Sequence, residues 1–170
     1  FEEYYQGKIK KHELTRVAKE EDRVKHVDFL SANAEPVFFS YRENKEINSI
    51  IVEGMSMEPV FDFIADDKIR HELWVLDDRQ ITSSLEKHFT DIPYLYVADG
   101  HHRTAAAARV GQKRKDANQN HTGQEEYNLF LAVLFADEEL EIYDYNRVIK
   151  DLNGLTDLGF LSKLKNKFSL

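Results

Sequence analysis

The residues best suited to chemistry are consecutive, in the run Asp99-Gly100-His101-His102-Arg103-Thr104. A short apolar segment precedes the run and four alanines follow it, so we expect a turn from a strand into a helix. The unpaired N–H groups and the dipole at a helix start favour an anion. Gly100 has no Cβ, so the backbone can come close to a phosphate group. The guanidinium of Arg103 can donate two charge-assisted hydrogen bonds to phosphate oxygens. The run therefore predicts a phosphate-binding turn, with His101, His102 and Thr104 as further donors.

A purely structural interpretation of the run stays open. Asp99 is a favoured helix cap, Gly100 suits a tight turn, and His101 could lie in solvent. However, cations at the start of a helix oppose its dipole unless an anion is present. Two histidines followed by Arg103 therefore favour the ligand-binding interpretation.

Two residues of the run also suit catalysis. Asp99 and His101 flank Gly100, where a bound anion would meet the helix. Asp99 could hold Mg²⁺ or orient a histidine, because Mg²⁺ in nucleotide sites takes one or two carboxylates besides phosphate oxygens. A carboxylate or a neutral histidine such as His101 can also act as a general base. The expected cofactor is Mg²⁺ bound together with a nucleotide.

A second charged group precedes the first long helix. His12, Glu13 and Arg16 are predicted to cover the substrate end of the phosphate site, where Glu13 or Glu35 would act as a base. Charged segments before helices are more often solvated surface, so that alternative stays open.

Several common sites are absent from the sequence. The chain has no cysteine, which excludes disulfides, zinc–thiolate sites and cysteine nucleophiles. It also has no Walker loop, no dinucleotide-binding glycine pattern and no serine nucleophile elbow. His12-Glu13 is followed by Arg16 and not by a second histidine, so the zinc-protease pattern fails. The scattered histidines at 26, 71, 88 and 121 are not expected to bind metal.

The elements that must position the run are a strand over residues 94–98 and a helix over 102–110, which Gly111 is predicted to end. Residues 112–126 are predicted to be a polar loop, and the apolar residues 129–135 a central strand. Before these elements, the pattern predicts a helix over 19–32, a hairpin of 37–41 with 47–52, a second hairpin of 60–64 with 69–76, and a helix through Phe89 that Asp77 or Asp78 caps. After them, it predicts a strand over 142–149 and a helix over 157–168 that Thr156 caps. The predicted fold class is α/β (α+β), with a mixed sheet and flanking helices.

Composition limits the partners that the chain can have. Its 170 residues are 42% apolar, so we expect one compact domain over residues 1–170. The net charge of -8 gives little attraction for nucleic acid or anionic membranes, so neither is an expected partner. No apolar run is long enough to span a bilayer, and the lack of cysteine fits a reducing cytoplasm. The start without methionine and the end at residues 167–170 predict a fragment of a longer protein.

The segment over residues 94–107 closely resembles the signature of domain-of-unknown-function family 1015, which is often labelled ParB-like. Further segments resemble the same family, in order, across most of the chain: residues 11–16, 20–23, 36–38, 70–74, 130–135 and 145–152. Several separate matches in order are far more specific than one short motif.

More distantly, Gly100-His101-His102-Arg103 resembles the Gly-x-x-Arg phosphate-binding turn of the ParB/sulfiredoxin superfamily, which includes sulfiredoxin, the archaeal free-serine kinase and CTP-binding ParB proteins. The resemblance implies a ParB/sulfiredoxin-like core in which Gly100 and Arg103 hold nucleotide phosphates. The chemistry of sulfiredoxin is not implied, because it needs a cysteine. Two functions are expected: phosphotransfer from ATP or ADP to a small hydroxylated metabolite, or a non-catalytic nucleotide switch or interaction module.

Overall fold

The structure is a computed structural model that describes residues 1–169. The chain divides into two compact units, Phe1–Leu140 and Glu141–Leu170. The helices of the first unit are α1 Glu2–Tyr5, α2 Val17–Leu30, α3 Lys45–Gly54, α4 Arg79–Asp91 and α5 His101–Ala117. Its strands are β1 Ile9–Lys10, β2 Val37–Tyr41, β3 Phe61–Ile64, β4 Arg70–Leu73, β5 Leu95–Asp99 and β6 Ala132–Ala136. Single turns of 3₁₀ helix lie at Glu126–Asn128 and Asp137–Glu139.

The main sheet has the strand order β1-β5-β2-β6 and is mixed, as the sequence predicted. Strand β5 pairs parallel with β1 and antiparallel with β2, while β2 pairs parallel with β6. Phe39 of β2 therefore lies opposite Val97 of β5 on one side and Leu134 of β6 on the other. This pairing places β5, which leads into the candidate phosphate turn, in the interior of the sheet.

The core lies along one face of β2, where alternate residues point the same way. Val37 and Phe39 pack with Ile9 and Val97, and each of the four is at most 3% exposed. Further along the same strand, Tyr41 packs with a second apolar group contributed by α3, the end of α4 and β6. The two groups hold the helices against the sheet, since burial of apolar surface is the main stabilising contribution in folding.

The predicted hairpin of residues 37–41 with 47–52 is wrong in its second half, because residues 47–52 belong to helix α3. The Asn44 side chain caps this helix by accepting a hydrogen bond from the backbone N–H of Ile47 at 3.1 Å. Ile47 is fully buried, and Ile50 and Ile51 follow it at helical spacing. The β-branched residues favour a strand locally, but the cap and the packing of Ile47 decide for the helix.

The prediction that Gly111 ends the helix is also wrong, because α5 continues to Ala117 and includes the first part of the predicted loop over 112–126. Gly111 is buried inside the helix. A Cβ at this position would lie 2.6 Å from the Phe1 ring and 2.7 Å from the carbonyl oxygen of Tyr127. The glycine therefore serves close packing and not helix termination.

We expect Gly111→Ala to lower the free energy of unfolding by about 1–2 kcal/mol. The new methyl group meets a backbone oxygen that cannot move aside, so the cost of overpacking is near the upper end of about 1–3 kcal/mol. The better helix propensity of alanine offsets roughly 1 kcal/mol of this cost. Urea unfolding measures the change. Gly54→Ala in α3 is the matched control, since its Cβ would meet the flexible side chain of Leu76 and no backbone atom. A Gly111→Ala variant as stable as the wild type would contradict the packing argument.

Other predicted elements are confirmed with shifted ends. They are the helix now seen as α2, the antiparallel hairpin of β3 and β4, helix α4 with its Asp78 cap, and the strand before the candidate turn. Strand β6 begins at Ala132 and not at residue 129. Among residues 1–169, no helix is long and apolar enough to cross a membrane.

The second unit contains helix α6, Asp157–Lys165, and the hydroxyl of Thr156 caps it by accepting a hydrogen bond from the N–H of Gly159 at 3.2 Å. This cap was predicted, although the helix ends before residue 168. The predicted strand over 142–149 is wrong, because those residues form no regular secondary structure. Ile142 and Val148 are each 98% exposed, so no sheet partner covers them.

Candidate functional site

The turn between β5 and α5 has the predicted form, with Gly100 at its apex. Strand β5 ends at Asp99, Gly100 has a φ of 90°, and helix α5 begins at His101. This left-handed conformation is strained for residues with a Cβ. A Cβ would also lie 3.0 Å from Nε of Arg103. Glycine is therefore required here by both its backbone conformation and the arginine stacked beside it.

The N-terminus of α5 is uncapped within the described residues, because no side chain accepts a hydrogen bond from its first turn. The N–H of Thr104 bonds to the carbonyl oxygen of Gly100 at 2.8 Å, whereas the N–H groups of residues 101–103 precede the first intrahelical bond. The carboxylate of Asp99 turns to Arg103 and does not cap the helix. The helix start is thus available to an anion.

Arg103 lies between two carboxylates. One terminal nitrogen of its guanidinium donates to Glu35, and the other donates to Asp99 at 2.7 Å. Both carboxylates are largely exposed, so water screens these ion pairs and a phosphate can compete with them. Nε of Arg103 and Nδ1 of His102 are buried atoms without a hydrogen-bond partner in the part of the chain described. Buried polar atoms without a partner are costly to a fold, so both atoms mark the turn as a strained polar environment.

His101 is buried, with 7% of its surface exposed, and it contacts the segment that carries His12 and Glu13. Its Nε2 accepts a hydrogen bond from the backbone N–H of His12 at 3.4 Å, so the proton lies on Nδ1. Nδ1 faces the carboxylate of Glu13 at 3.8 Å. Burial and the nearby His12 lower the pKa of His101, so the ring is neutral at pH 7.

Thr104 takes a structural position. It is fully buried, and its hydroxyl donates to the carbonyl oxygen of Gly100 at 2.9 Å. This bond supports the turn. We therefore leave Thr104 out of the residues proposed below to touch a ligand.

An open cleft of about 500 Å³ lies in front of this turn. Three cations line it: Lys19, Arg23 and Arg103. Four carboxylates line it as well: Glu13, Asp22, Glu35 and Asp99. Gly100, His101 and His102 complete the α5 side, and Ala18 lies on the α2 side. The structure brings His12 and Glu13 to the turn, as predicted. Arg16 is not part of this group, because it is the exposed N-cap residue of α2 and does not line the cleft.

The α2 side of the cleft was missed by sequence reasoning. Lys19 and Arg23 are four residues apart and so lie on one face of α2, which packs against α5. In the described part of the chain, Lys19 forms no salt bridge, and Arg23 reaches only Asp22, 4.0 Å from its Nε. The i, i+4 spacing of these two cations could have indicated a basic face of α2, but the helix carries many other charged residues.

Asp99 is a carboxylate at the turn that could share a metal ion with a bound phosphate. Among residues 1–169, no group of three or more His, Asp or Glu side chains is arranged to hold a metal ion. Mg²⁺ bound with a nucleotide needs only one or two carboxylates besides the phosphate oxygens. Asp99 offers such a carboxylate directly beside the start of α5.

The sequence model of the family described as protein of unknown function (DUF1015) matches residues 1–170. No curated protein matches the chain. No solved structure matches it.

Proposed function

The chain belongs to this family of unknown function, and we propose that its cleft binds a nucleoside di- or triphosphate together with Mg²⁺. The observation that carries the proposal is the uncapped N-terminus of α5, open to a cleft that also contains Arg103, Lys19 and Arg23. Free N–H groups, a helix dipole and clustered cations are the features that bind phosphate. The resemblance of the turn at Gly100 to the ParB/sulfiredoxin phosphate-binding turn supports the same ligand.

The charges in the cleft point to a metal-bound nucleotide. Four carboxylates face three cations, so a bare polyphosphate would meet as much repulsion as attraction. Mg²⁺ removes this conflict, because it neutralises part of the phosphate charge and uses carboxylate oxygens as ligands. In this arrangement Asp99 would hold the metal, and the Arg103 nitrogen that now donates to Asp99 would be available to phosphate.

We expect ATP and ADP to bind roughly tenfold or more tightly in excess Mg²⁺ than in EDTA, a difference of about 1.4 kcal/mol. Isothermal titration calorimetry on the full-length protein measures both conditions. Magnesium titrated without nucleotide is the control, and it should bind weakly. Failure of both nucleotides to bind in Mg²⁺ would refute the proposed nucleotide site. Equal affinity in Mg²⁺ and in EDTA would refute the role of Mg²⁺ in binding.

We further propose that the bound nucleotide donates its terminal phosphoryl group to a small hydroxylated metabolite. Phosphoryl transfer depends mainly on positioning and charge neutralisation, which this cleft supplies through the α5 N-terminus, Arg103 and the Mg²⁺ ligand Asp99. His101 was expected to act as a general base. Because its Nε2 already accepts a bond from His12, we assign it a positioning role instead.

Transfer is tested with ATP and ADP as donors and a panel of hydroxy amino acids, hydroxy acids and sugars as acceptors. Loss of donor that depends on one acceptor, with appearance of the phosphorylated product by mass spectrometry, would support the enzyme. Tight nucleotide binding without transfer to any acceptor would replace the enzyme with a non-catalytic nucleotide switch.

A further inference from the structure

The segment of residues 11–16, which joins β1 to α2, separates two clefts. One is the phosphate cleft, and the other has a volume of about 400 Å³. The second cleft is lined mainly by the segment itself, with Tyr4 opposite it, and Glu13 lines both clefts. The segment contains no helix or strand, and five of its six residues are exposed. A few side-chain contacts must therefore hold it in place.

The contact with the phosphate turn comes from His101, the first residue of α5. Its ring lies edge-to-face against the ring of His12, with centroids 4.4 Å apart. Its Nε2 accepts the hydrogen bond from the His12 N–H, and Nδ1 lies 3.8 Å from the Glu13 carboxylate. His101 is almost fully buried by these neighbours. It therefore couples the segment to the same helix turn that faces the phosphate cleft.

Two further contacts hold the rest of the segment. The ammonium of Lys11 lies 4.0 Å from the ring centroid of Tyr4, and the hydroxyl of Thr15 donates to Glu20. Neither contact involves Glu13, whose side chain is 63% exposed. The position of the Glu13 backbone is thus set by its neighbour His12, and through His12 by His101.

We propose that His101 is a positioning residue that fixes Glu13 at the boundary of the two clefts, where the hydroxyl group of the acceptor enters. The proposal rests on the function proposed above for the assignment of an acceptor. An exposed carboxylate accepts hydrogen bonds, so Glu13 suits a neutral hydroxyl donor. The second cleft then takes the rest of the acceptor, and the nucleotide occupies the first.

Hydrogen exchange on the ligand-free protein tests the positioning role directly. His101→Leu keeps much of the bulk but removes the acceptor atom, so exchange of the His12 amide should become about five- to tenfold faster. His101→Gln can place a carbonyl oxygen near the position of Nε2, so it should restore slow exchange at His12. His102→Leu, on the same helix turn, is the matched control and should leave exchange in this segment unchanged.

The outcomes separate the possible roles of His101. Fast exchange in His101→Leu with rescue in His101→Gln supports the hydrogen bond, whereas fast exchange in both variants overturns it in favour of ring packing. Unchanged exchange in His101→Leu overturns the positioning role altogether. If His101→Leu does not fold, His101→Met against His101→Gln makes the same comparison.

The link to the acceptor has its own measurement. In His101→Leu the KM for the acceptor should rise about tenfold, while the Kd of Mg·ADP stays within threefold of wild type, with recovery in His101→Gln. An unchanged acceptor KM would overturn this link. If no acceptor is phosphorylated, the proposed transfer fails, but the exchange result still decides whether His101 positions the segment.

Discussion

Arg103→Ala should weaken the binding of Mg·ATP and Mg·ADP by roughly tenfold to a hundredfold, which corresponds to about 1.5–3 kcal/mol for lost charged hydrogen bonds. The guanidinium lies at the uncapped start of α5, beside Gly100. Its removal has a second effect. Glu35 loses its partner, so an uncompensated carboxylate would face the phosphates even where Asp99 holds Mg²⁺. Isothermal titration calorimetry measures the loss.

Arg109→Ala is the matched control for this change. Arg109 lies on the same helix and also joins two carboxylates, Glu20 at 2.8 Å and Glu21 at 2.6 Å, but it does not line the cleft. Its loss should lower the melting temperature slightly and leave nucleotide affinity unchanged, because partly exposed ion pairs contribute little to stability. Equal nucleotide affinity in wild type and Arg103→Ala, with both folded, would make Arg103 a structural residue.

The turn that forms the candidate site was predictable because its signals are local. A short apolar strand, a glycine and a run of alanines fix the positions of Asp99, Gly100 and His101 without help from distant residues. The caps at Asp78 and Thr156 were predictable for the same reason, since each side chain bonds to N–H groups two or three residues later. Such short-range interactions can be recognised in one sequence.

The predicted elements that are wrong lie where contacts between residues distant in sequence determine the secondary structure. Residues 47–52 have the composition of a strand, but burial of Ile47 against the sheet and α4 selects a helix. Gly111 has the usual position of a helix stop, yet Phe1 and Tyr127 pack so closely there that only glycine fits inside the helix. Both outcomes depend on residues far away in sequence, which local patterns cannot identify.

The sequence named the α5 residues of this cleft together with Glu13 and Glu35, but not the residues of α2. Helix α2 carries many charges, and the sequence does not show which of them face α5. In the structure Glu20, Glu21 and Asp28 are engaged by Arg109, Lys113 and Arg114 of α5. Lys19 and Arg23 lie on the part of α2 that lines the cleft instead. The second half of the site therefore follows from the packing of two helices.

Asp99→Asn should lower turnover by about 10²-fold or more if Asp99 holds Mg²⁺, since a metal ion contributes several kcal/mol of charge stabilisation in the transition state. Asparagine is nearly isosteric and keeps one oxygen beside Arg103, so the fold should be preserved. The structure removes one competing explanation, because Asp99 does not cap α5 and a loss of capping cannot account for a defect.

The direction in which Asp99→Asn changes ATP affinity shows whether Asp99 acts as a metal ligand. In Mg²⁺, Asp99→Asn should bind ATP more weakly than wild type, because a ligand of the metal is lost. In EDTA it should bind ATP as tightly or more tightly, because one negative charge has left the cleft. Asp22→Asn is the control: it removes a carboxylate of the same cleft from α2, away from the α5 turn, and should keep the dependence on Mg²⁺. Asp99 is not the metal ligand if Asp99→Asn retains wild-type turnover and Mg²⁺ strengthens its ATP binding as fully as in wild type. Glu35, the other carboxylate beside Arg103, is then the residue to test.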